Sequence, residues 1–405
     1  MSEIRYIVFV IIFFFLFLNA KGQEKVDISL ERDIYIAGET IKYDAGYFLD
    51  EEMMTEPLSK VLYVELITNT GDKVSQAKIC FSDSVIKGSL LIPEDTRSGN
   101  YYLRAYTKYM RNFSPQDYSY QVVCVVNPFS EEVFPDLKFQ EHLVNSSMVY
   151  MPERNGLTIS GRVIGSVDNN PIEGAELSIS TVSDASYFSI GETDSSGRFL
   201  FELPCDLTVT EFSISIEGYE KRQVNILVDA EYCNKQINLN YIPFKIEDEA
   251  KVLKLVHQYQ KYIQKGDEKS FKAEEDTYIP FYGEAGREIS EKDYIELESI
   301  GEFVFELLYE FKYVESSNFL YPTGNASLKF SPVLVLIDNV RVYDVASFLK
   351  LPTRRVKRFE ILRGGYIIGS KAFGGILNVV TEDDDMAGYI DQAARIYFEF
   401  DTVCQ

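Results

Sequence analysis

A chain of 405 residues, 46% of them hydrophobic, is long enough for about two to four folded domains. Its formal net charge of −23 is spread along the chain. Such a surface repels phosphate backbones and anionic headgroups, which disfavours nucleic-acid binding and electrostatic docking on membranes.

The N-terminus has the pattern of a secretory signal peptide. Arg5 precedes an apolar run over 6–18, which is too short for a transmembrane helix, since such a helix needs ~20 residues. Ala20 and Gly22 supply the small residues of a cleavage site, so we predict a signal peptide over 1–22. An uncleaved N-terminal anchor is the alternative. We expect secretion across the inner membrane, a periplasmic or outer-membrane-associated location, and no transmembrane span in the mature chain.

Residues 23–128 have short alternating strands without intervening helices, which predicts an antiparallel β-sandwich. The expected strands are 34–43, 61–67, 89–92, 101–109 and 118–126. Tyr-Ile-Ala-Gly-Glu at 35–39 and Ser-Gly-Asn-Tyr-Tyr-Leu-Arg-Ala-Tyr-Thr at 98–107 resemble the second macroglobulin-type domain of α2-macroglobulin-like proteins, in a version familiar from Bacteroidota envelope proteins. No Cys-Gly-Glu-Gln thioester segment occurs, so covalent capture of proteases is not expected.

A proline-containing connector is predicted over 129–155, and a second β-sandwich over 156–243. Three segments in order resemble a carboxypeptidase-regulatory-like domain: Ile-Ser-Gly-Arg-Val at 159–163, Pro-Ile-Glu-Gly-Ala at 171–175 and Thr-Asp-Ser-Ser-Gly-Arg-Phe at 193–199. The resemblance implies a seven-stranded, transthyretin-type sandwich. Asp194 is predicted to bond the backbone of a turn. A calcium loop there is the alternative, but it lacks the clustered carboxylates that calcium needs.

Residues 244–277 are predicted as a helical linker, because the apolar pattern over 246–265 changes to that of an amphipathic helix. A charged stretch completes the linker. Ser290 and Asp293 then have the spacing of a helix cap, which predicts that a helix opens the next domain.

The most specific pattern lies in residues 278–385. The run Val-Leu-Val-Leu-Ile-Asp at 333–338 is typical of a buried strand that ends in a turn. A basic segment with a glycine pair at 354–365 and Gly-Ser-Lys-Ala-Phe-Gly-Gly-Ile-Leu-Asn-Val-Val-Thr at 369–381 follow it. This order resembles the plug domain of TonB-dependent outer-membrane receptors. The residues that carry the plug-like motif, in a structural role, are Asp338, Arg363, Gly364, Gly365, Gly369, Gly374 and Gly375.

A barrel has no room after this plug-like domain. The sequence has 24 residues after Thr381 (382–405), and each strand of a membrane barrel alone needs ~9–11 residues. These 24 residues are therefore too few to form a barrel. We predict a C-terminal tail over 386–405. The expected fold class is mainly β and multidomain, with two antiparallel β-sandwiches followed by a helical linker and a small α/β plug-like domain. Its strand 333–337 is expected to pack against 376–380.

Residues that could carry catalysis are scarce. The two histidines, His142 and His257, belong to no nucleophile motif, and the chain has no phosphate loop or metal-spaced cluster. We predict no catalytic, cofactor-binding or metal-ligating residue and no cofactor. The acidic run 382–385 is interpreted as a solvated loop, with a cation site as the alternative.

The cysteines fit neither a disulfide scaffold nor a zinc site, because the five are scattered and none forms a Cys-x-x-Cys pair. Cys205 and Cys233 fall within one predicted domain and could pair if their strands are adjacent. An odd number of cysteines leaves at least one thiol free within the chain.

Two classes of function fit these patterns. The first is a non-enzymatic binding or adaptor protein at the periplasmic side of the outer membrane. Its partners would be envelope proteins, among them an outer-membrane barrel or transport complex of the TonB-dependent kind, and no nucleic acid. The second is a macroglobulin-related protease inhibitor or enzyme. A barrel-less fragment of a TonB-dependent importer is a further alternative.

Overall fold

The computed structural model describes residues 24–49, 57–137, 149–182, 186–245, 280–290, 297–324, 328–382 and 393–401, together with residues 253, 256, 257 and 259. The predicted signal peptide, His142 and most of the predicted linker helix lie outside these residues. The described chain is mainly β, which confirms the predicted fold class. It forms two compact units. Unit 1 comprises Met1–Gly156, Tyr232–Phe271 and Val403–Gln405, and unit 2 comprises Leu157–Glu231 and Lys272–Thr402.

Unit 1 contains eight described strands: β1 (Lys25–Leu30), β2 (Ile34–Ile36), β3 (Thr40–Phe48), β4 (Val61–Ile67), β5 (Lys73–Cys80), β6 (Val85–Leu91), β7 (Gly99–Tyr106) and β8 (Ser119–Val126). Two short 3-10 helices, Tyr109–Asn112 and Pro115–Asp117, connect the last two. The strands form two sheets with the orders β1-β3-β6 and β2-β8-β7-β4-β5. Their pairings are antiparallel except for the parallel pair β2–β8.

One predicted strand of unit 1 is divided in the structure. The segment 34–43 forms β2 and the start of β3, because Gly38 between them has a φ of 90°, a left-handed conformation that interrupts a strand. By contrast, β4 coincides with the predicted strand 61–67, and all seven of its residues are buried.

Residues 232–243 were predicted as the end of the second sandwich, and this boundary is wrong because they lie in unit 1. The buried guanidinium of Arg104 donates from Nη2 to the backbone oxygen of Cys233 at 3.0 Å, and the backbone N–H of Cys233 donates to the Tyr106 hydroxyl at 2.8 Å. Further along, Ile237 packs in a cluster with Ile67 and Tyr102. Hydrogen bonds and apolar burial together therefore hold this segment on unit 1.

The thiol of Cys233 is free and buried. A disulfide between Cys205 and Cys233, one of the pairings left open by the sequence, is therefore wrong. Cys205 is itself disulfide-bonded, so its partner is another cysteine.

Part of the predicted linker helix is described. Residues 253, 256, 257 and 259 are all helical. Tyr259 is 8% exposed and packs with Ile36 and Val126, whereas His257 is exposed, as expected for a residue beside the apolar stripe. No helix within the described residues is long and apolar enough to cross a membrane.

In unit 2 the second sandwich uses β9 (Leu157–Gly165), β10 (Glu176–Thr181), β11 (Phe188–Glu192), β12 (Arg198–Leu203), β13 (Glu211–Glu220) and β14 (Val224–Val228). A seventh strand, β22 (Ala393–Glu399), comes from the C-terminus. The two sheets have the orders β11-β10-β13-β22 and β12-β9-β14. The seven strands implied by the resemblance are present, but only six come from residues 156–243.

The C-terminal segment is therefore more than the predicted tail over 386–405. Strand β22 runs antiparallel to β13 and pairs with it from Glu211↔Glu399 to Ser215↔Arg395. The rings of Phe398 and Phe400 lie 6.0 and 6.1 Å from that of Phe212. An unpaired edge at β13 would leave backbone donors and acceptors without partners, and β22 satisfies them.

The predicted turn at Asp194 is present in this sandwich. The Oδ1 atom of Asp194 accepts hydrogen bonds from the backbone N–H groups of Ser196 and Arg198 at 2.8 and 2.9 Å. Gly197 supplies a φ of 70°. These bonds lower the pKa of the Asp194 carboxyl, mainly through the bond from Arg198.

The part of unit 2 that the sequence predicts to be plug-like, called the plug-like part below, contains β15 (Arg287–Ser290), α1 (Ile300–Leu307), β16 (Phe311–Val314), β17 (Phe319–Pro322), β18 (Leu334–Ile337), β19 (Val340–Arg341), α2 (Val345–Leu349), a 3-10 turn (Thr353–Arg355), β20 (Val356–Ile368) and β21 (Lys371–Thr381). Its main sheet has the order β15-β20-β21-β18-β19, and β16 and β17 form a hairpin. The parallel pair β18–β21, from Leu334↔Ile376 to Ile337↔Val379, confirms the predicted packing of 333–337 against 376–380.

Helix α1 begins later than predicted. Ser290 ends β15, so the predicted cap at this residue is wrong. The cap is Ser299, whose hydroxyl accepts from the backbone N–H of Glu302 at 3.2 Å, while the Glu302 carboxylate accepts from the N–H of Glu298 at 3.0 Å. A closely related cap is thus used nine residues further on, with Glu302 bonding the residue before the cap instead of the cap residue itself.

The two faces of β18 explain its unbroken apolar sequence. Val335 and Ile337 pack in a cluster with residues of α1 and α2, including Phe303 and Phe348. Leu334 and Leu336 belong to a different cluster, which includes Phe188 of β11 in the second sandwich. Helices therefore cover one face and the second sandwich contributes to the cover of the other, as a strand without polar alternation requires.

Candidate functional site

The predicted motif residues separate into two groups at opposite ends of the sheet. Asp338 follows the C-terminal end of β18, whereas Gly374 lies at the beginning of β21, which runs parallel to β18. Arg363 pairs with Gly375, so it lies at the same end as Gly374. The motif is consequently not a single site.

At the first end, Asp338 fixes the architecture. Asp338 and Asn339 have φ values of 47° and 65°, as expected of a two-residue type I′ hairpin turn between β18 and β19. The Asp338 Oδ1 atom accepts from the backbone N–H of Thr381 at 2.7 Å, and the Thr381 hydroxyl bonds the same carboxylate. Asp338 is 1% exposed, so its carboxylate ties the turn to the end of β21 rather than meeting a ligand.

The glycines of the second end allow a close approach of backbones. A Cβ atom added to Gly374 would lie 2.6 Å from both Pro322 Cδ and the backbone oxygen of Ser331, so no larger residue fits. Gly375 has a φ of 153°, and an added Cβ would lie 2.8 Å from Leu362 O. Gly369 forms the tip of the β20–β21 hairpin with a φ of 56°. An added Cβ at Gly365 would meet Leu328, 2.6 Å away.

A bulge opens a small cavity at this end. The pairing of β20 with β21 shifts register between Arg363 and Tyr366, and Gly364 within the bulge has a φ of 105°. The cavity has a volume of about 110 Å³. Its lining comprises Tyr309, Glu310, Phe311, Pro322, Thr323, Arg363, Gly364 and Gly374. Bulges re-aim side chains and occur often beside functional sites, so this is our candidate functional site.

The centre of the site is a buried carboxylate with two arginines. The side chain of Glu310 is 1% exposed, and its Oε1 accepts from Arg287 Nη1 at 2.8 Å and from Arg363 Nη2 at 2.6 Å. The other oxygen, Oε2, is buried and has no hydrogen-bond partner among the described residues. Both guanidiniums therefore share one oxygen, and neither forms the bidentate pair that arginine commonly makes with a carboxylate.

Tyr309 stands beside this group and is 70% exposed. The guanidinium carbons of Arg363 and Arg287 lie 4.8 and 5.3 Å from the centre of its ring, within range of cation–π attraction. Thr323 holds the backbone of Tyr309 and Glu310 in place. Its hydroxyl donates to the backbone oxygen of Tyr309 at 2.5 Å, and its backbone N–H donates to the backbone oxygen of Glu310 at 2.8 Å.

The bonds within this group favour the ionised form of Glu310 and the cationic form of Arg363. Burial acts to raise the pKa of Glu310, but the bonds from Arg287 and Arg363 outweigh it and the pKa is lowered. The bond to Glu310 raises the pKa of Arg363. With Glu310 ionised and both arginines cationic, the group carries a net charge of about +1.

Sequence reasoning found Arg363, Gly364 and Gly374 but missed the rest of the site. Glu310 is one of 63 acidic residues, and Arg287 and Tyr309 belong to no motif. Their convergence depends on the pairing of β15 with β20, which places Arg287 opposite Ile361. No local signal marks them.

A second buried polar group in the plug-like sheet has a structural role. Asn378 donates from Nδ2 to Glu360 Oε2 at 3.0 Å and to Asn339 Oδ1 at 2.9 Å, and the Tyr282 hydroxyl also donates to Glu360. Arg358 Nε donates to Glu360 Oε1 at 2.7 Å. Each carboxylate oxygen of Glu360 is thus bonded, and the group links β20 and β21 with the turn after β18.

A cavity in unit 1 is larger, at about 370 Å³. Its charged lining residues are of both signs: Lys42, Lys78, Lys87, Glu31 and Asp44. This mixture selects no particular ligand chemistry. Within the described ranges, no group of three or more histidine, cysteine or acidic side chains is placed to hold a metal ion. Of the acidic run 382–385, only Glu382 is described, and it is exposed.

Comparisons with known proteins identify no family for this chain. No protein-family model matches the chain, and no curated protein matches it. Among solved structures, trypsin-activated α2-macroglobulin from Escherichia coli is similar at 9% identity, over 51% of this chain and 15% of that chain, with a TM-score of 0.20. Methylamine-reacted α2-macroglobulin from Salmonella gives 12% identity, 52% and 15% coverage, and a TM-score of 0.21.

A tetra-tandem repeat from the extending region of a large adhesion protein gives 12% identity, covers 54% of this chain and 50% of that chain, and has a TM-score of 0.19. This chain thus spans about a seventh of the two macroglobulins and half of the adhesion repeats. TM-scores this low support no assignment. The chain is a mainly β, multidomain protein, and its function is argued from its own residues.

Proposed function

We propose that this protein is a non-enzymatic adaptor of the bacterial cell envelope, which acts at the periplasmic side of the outer membrane. Unit 2 would present the plug-like domain to an envelope partner. In this account the signal peptide over 1–22 directs export, and the macroglobulin-type and carboxypeptidase-regulatory-like sandwiches are supporting and binding modules. The partner is a protein of the outer membrane, such as a barrel or a component of TonB-dependent transport.

This proposal rests on the contacts by which the second sandwich covers the plug-like sheet. Arg341 of β19 donates from Nη1 to Glu176 Oε1 of the second sandwich at 2.8 Å, and Lys371 of β21 pairs with the same carboxylate. The Tyr343 hydroxyl lies 3.0 Å from that of Ser178. The chain therefore covers one edge of the plug-like sheet with its own sandwich.

The C-terminal strand strengthens this connection. It follows the plug-like sheet in sequence but completes the sandwich, and Arg395 of β22 donates from Nη2 to Arg341 O at 2.9 Å. A leftover piece of an importer would expose the surfaces that a barrel once covered. Here the sandwich and the plug-like part share one compact unit, which supports an adaptor over a barrel-less fragment.

The rival function is a macroglobulin-related protease inhibitor or enzyme. The absence of a thioester segment from the sequence argues against covalent trapping. Hydrolase or inhibitory activity that co-purifies with the homogeneous mature protein, and disappears with it on immunodepletion, would favour the rival.

The adaptor proposal is tested by affinity capture. The tagged mature protein is incubated with detergent-solubilised outer membranes of its source bacterium, with excess untagged protein as competitor. We expect one outer-membrane protein to be retained saturably and to be displaced by the competitor.

The variant Arg341→Gln, which removes one ion pair between the sandwich and the plug-like sheet, should retain less of that protein. Arg354→Gln is the matched control, because Arg354 is an exposed arginine of the same domain. No saturable capture, or capture that the Arg341 variant leaves unchanged, would contradict the proposal.

A further inference from the structure

We propose that the cavity beside Arg363 binds a single carboxylate group of a polypeptide. The bearer is either an acidic side chain or a free C-terminus. That this polypeptide belongs to an envelope partner rests on the proposed function, but the chemistry of the cavity does not.

The accessible polar groups of the cavity are hydrogen-bond donors. The side chain of Arg363 is 54% exposed and spends one terminal nitrogen on Glu310. Tyr309 lines the cavity and is exposed, so its hydroxyl is within reach of a ligand. The one acid, Glu310, is buried, and its Oε1 is already shared by Arg287 and Arg363. A ligand therefore meets donors and positive charge, which selects an anionic acceptor.

Neither arginine forms a bidentate pair with Glu310, although Arg363 also bonds the Tyr309 side chain. In a bidentate pair each guanidinium would bond both oxygens of one carboxylate. Here both guanidiniums donate to Oε1 of Glu310, while Oε2 of Glu310 has no hydrogen-bond partner within the described part of the chain. A ligand carboxylate at the mouth of the cavity would accept hydrogen bonds from the remaining N–H groups of the Arg363 guanidinium. Arg363 would keep its bond to Glu310.

Charge balance selects a carboxylate over a phosphate. Arg287, Arg363 and ionised Glu310 sum to about +1, which one carboxylate neutralises. A phosphate monoester carries about −1.5 to −2 at neutral pH and would leave excess negative charge. The whole chain already carries a net charge of −23, so its overall charge would not offset that excess negative charge.

The size of the cavity fits the end of a side chain or of a peptide. Its volume is about 110 Å³, well below the ~300–1,000 Å³ of sites for drug-sized ligands. The space beside Gly364 is open, since a Cβ added there would meet nothing within 4 Å, and Phe311 and Pro322 supply apolar walls.

The test uses three N-acetylated Gly/Ala pentapeptides with the mature protein at low salt, followed by saturation-transfer NMR of the peptide. One has a free C-terminal carboxylate, one is amidated, and one is amidated with an internal glutamate. We expect the amidated peptide without glutamate not to bind, and at least one of the other two to bind. The arm that binds identifies the source of the carboxylate. Added salt should weaken binding.

Variants locate the site. Arg363→Gln should weaken binding about tenfold to a hundredfold, because a charge-assisted hydrogen bond is lost. Tyr309→Phe, which removes only the hydroxyl, should weaken it about twofold to tenfold. Arg354→Gln is the matched control and should bind like the parent. Unchanged thermal unfolding of Tyr309→Phe excludes loss of fold as the cause.

Two results would overturn the inference: no carboxylate peptide binds the parent protein, or Arg363→Gln binds as tightly as the parent. The outcomes are separable from those of the adaptor proposal. Peptide binding without any captured envelope protein would contradict the adaptor alone, whereas saturable capture without peptide binding would contradict the carboxylate site alone.

Discussion

Leu336→Ala tests whether the second sandwich and the plug-like domain unfold together. Leu336 has no exposed surface and belongs to the cluster that includes Phe188 of the sandwich and Phe373 of β21. Truncation of a fully buried leucine costs about 2–5 kcal/mol, since it loses transfer free energy and leaves a cavity. In a unit of 150–250 residues, 1 kcal/mol shifts the melting temperature by about 2–4 °C. We therefore expect unit 2 to melt about 4–20 °C lower.

Differential scanning calorimetry of the mature protein provides the assay, with the parent and the variant at the same pH and scan rate. The transition of unit 1 should keep its temperature, because Leu336 lies in unit 2. Leu200→Ala is the matched control: the same truncation at a leucine that is 47% exposed should change stability by less than about 0.5 kcal/mol.

Two results would refute this reasoning. If Leu336→Ala melts like the parent, the side chain is not part of the core. If a separate sandwich transition stays in place while the plug-like domain melts early, then the two domains have independent cores, as their sequences alone would suggest.

Three further predictions concern unit 2 and the free thiol. Ser299→Ala should lower the free energy of unfolding by about 0.5–2 kcal/mol in urea titrations, because α1 loses its N-terminal cap. The pKa of Glu310 is lowered from 4.5, since its bonds with two arginines outweigh the effect of burial. Its stabilising contribution is therefore present above about pH 4.5 and is lost as the pH falls through the lowered pKa, so Glu310→Gln should flatten the acid limb of a stability–pH curve. Cys233, free and buried, should resist a thiol reagent in the native protein and react in urea, as peptide mass spectrometry would show.

The sequence predicted the elements whose pattern is local. The apolar run at 333–337 identified a buried strand, and the paired run at 376–380 identified its neighbour. The Asp194 turn was predictable because its hydrogen bonds reach only two and four residues along the chain. In each case the determining interactions lie within the segment or between two strongly apolar segments.

The errors lie where distant segments decide the structure. The seven residues of β22 (Ala-Ala-Arg-Ile-Tyr-Phe-Glu) do not indicate which strand they pair with, and only the open edge of β13 makes β22 a strand of the second sandwich. Residues 232–243 belong to unit 1 because Arg104 and Tyr106 bond Cys233, and these residues are more than 120 positions apart. The Glu310 site was missed for the same reason, since β15, α1 and β20 bring its members together.

Site-specific photo-crosslinking in the source bacterium tests most directly the combined account, in which the adaptor contacts an outer-membrane protein through the cavity beside Tyr309. A photoreactive phenylalanine analogue replaces Tyr309, an exposed residue beside the cavity, and in a second strain it replaces Val167, which is 95% exposed on the second sandwich. The account predicts an ultraviolet-dependent crosslink from position 309 to an outer-membrane protein, and a weaker one or none from position 167. No crosslink from position 309, or equal crosslinking from both positions, would contradict it.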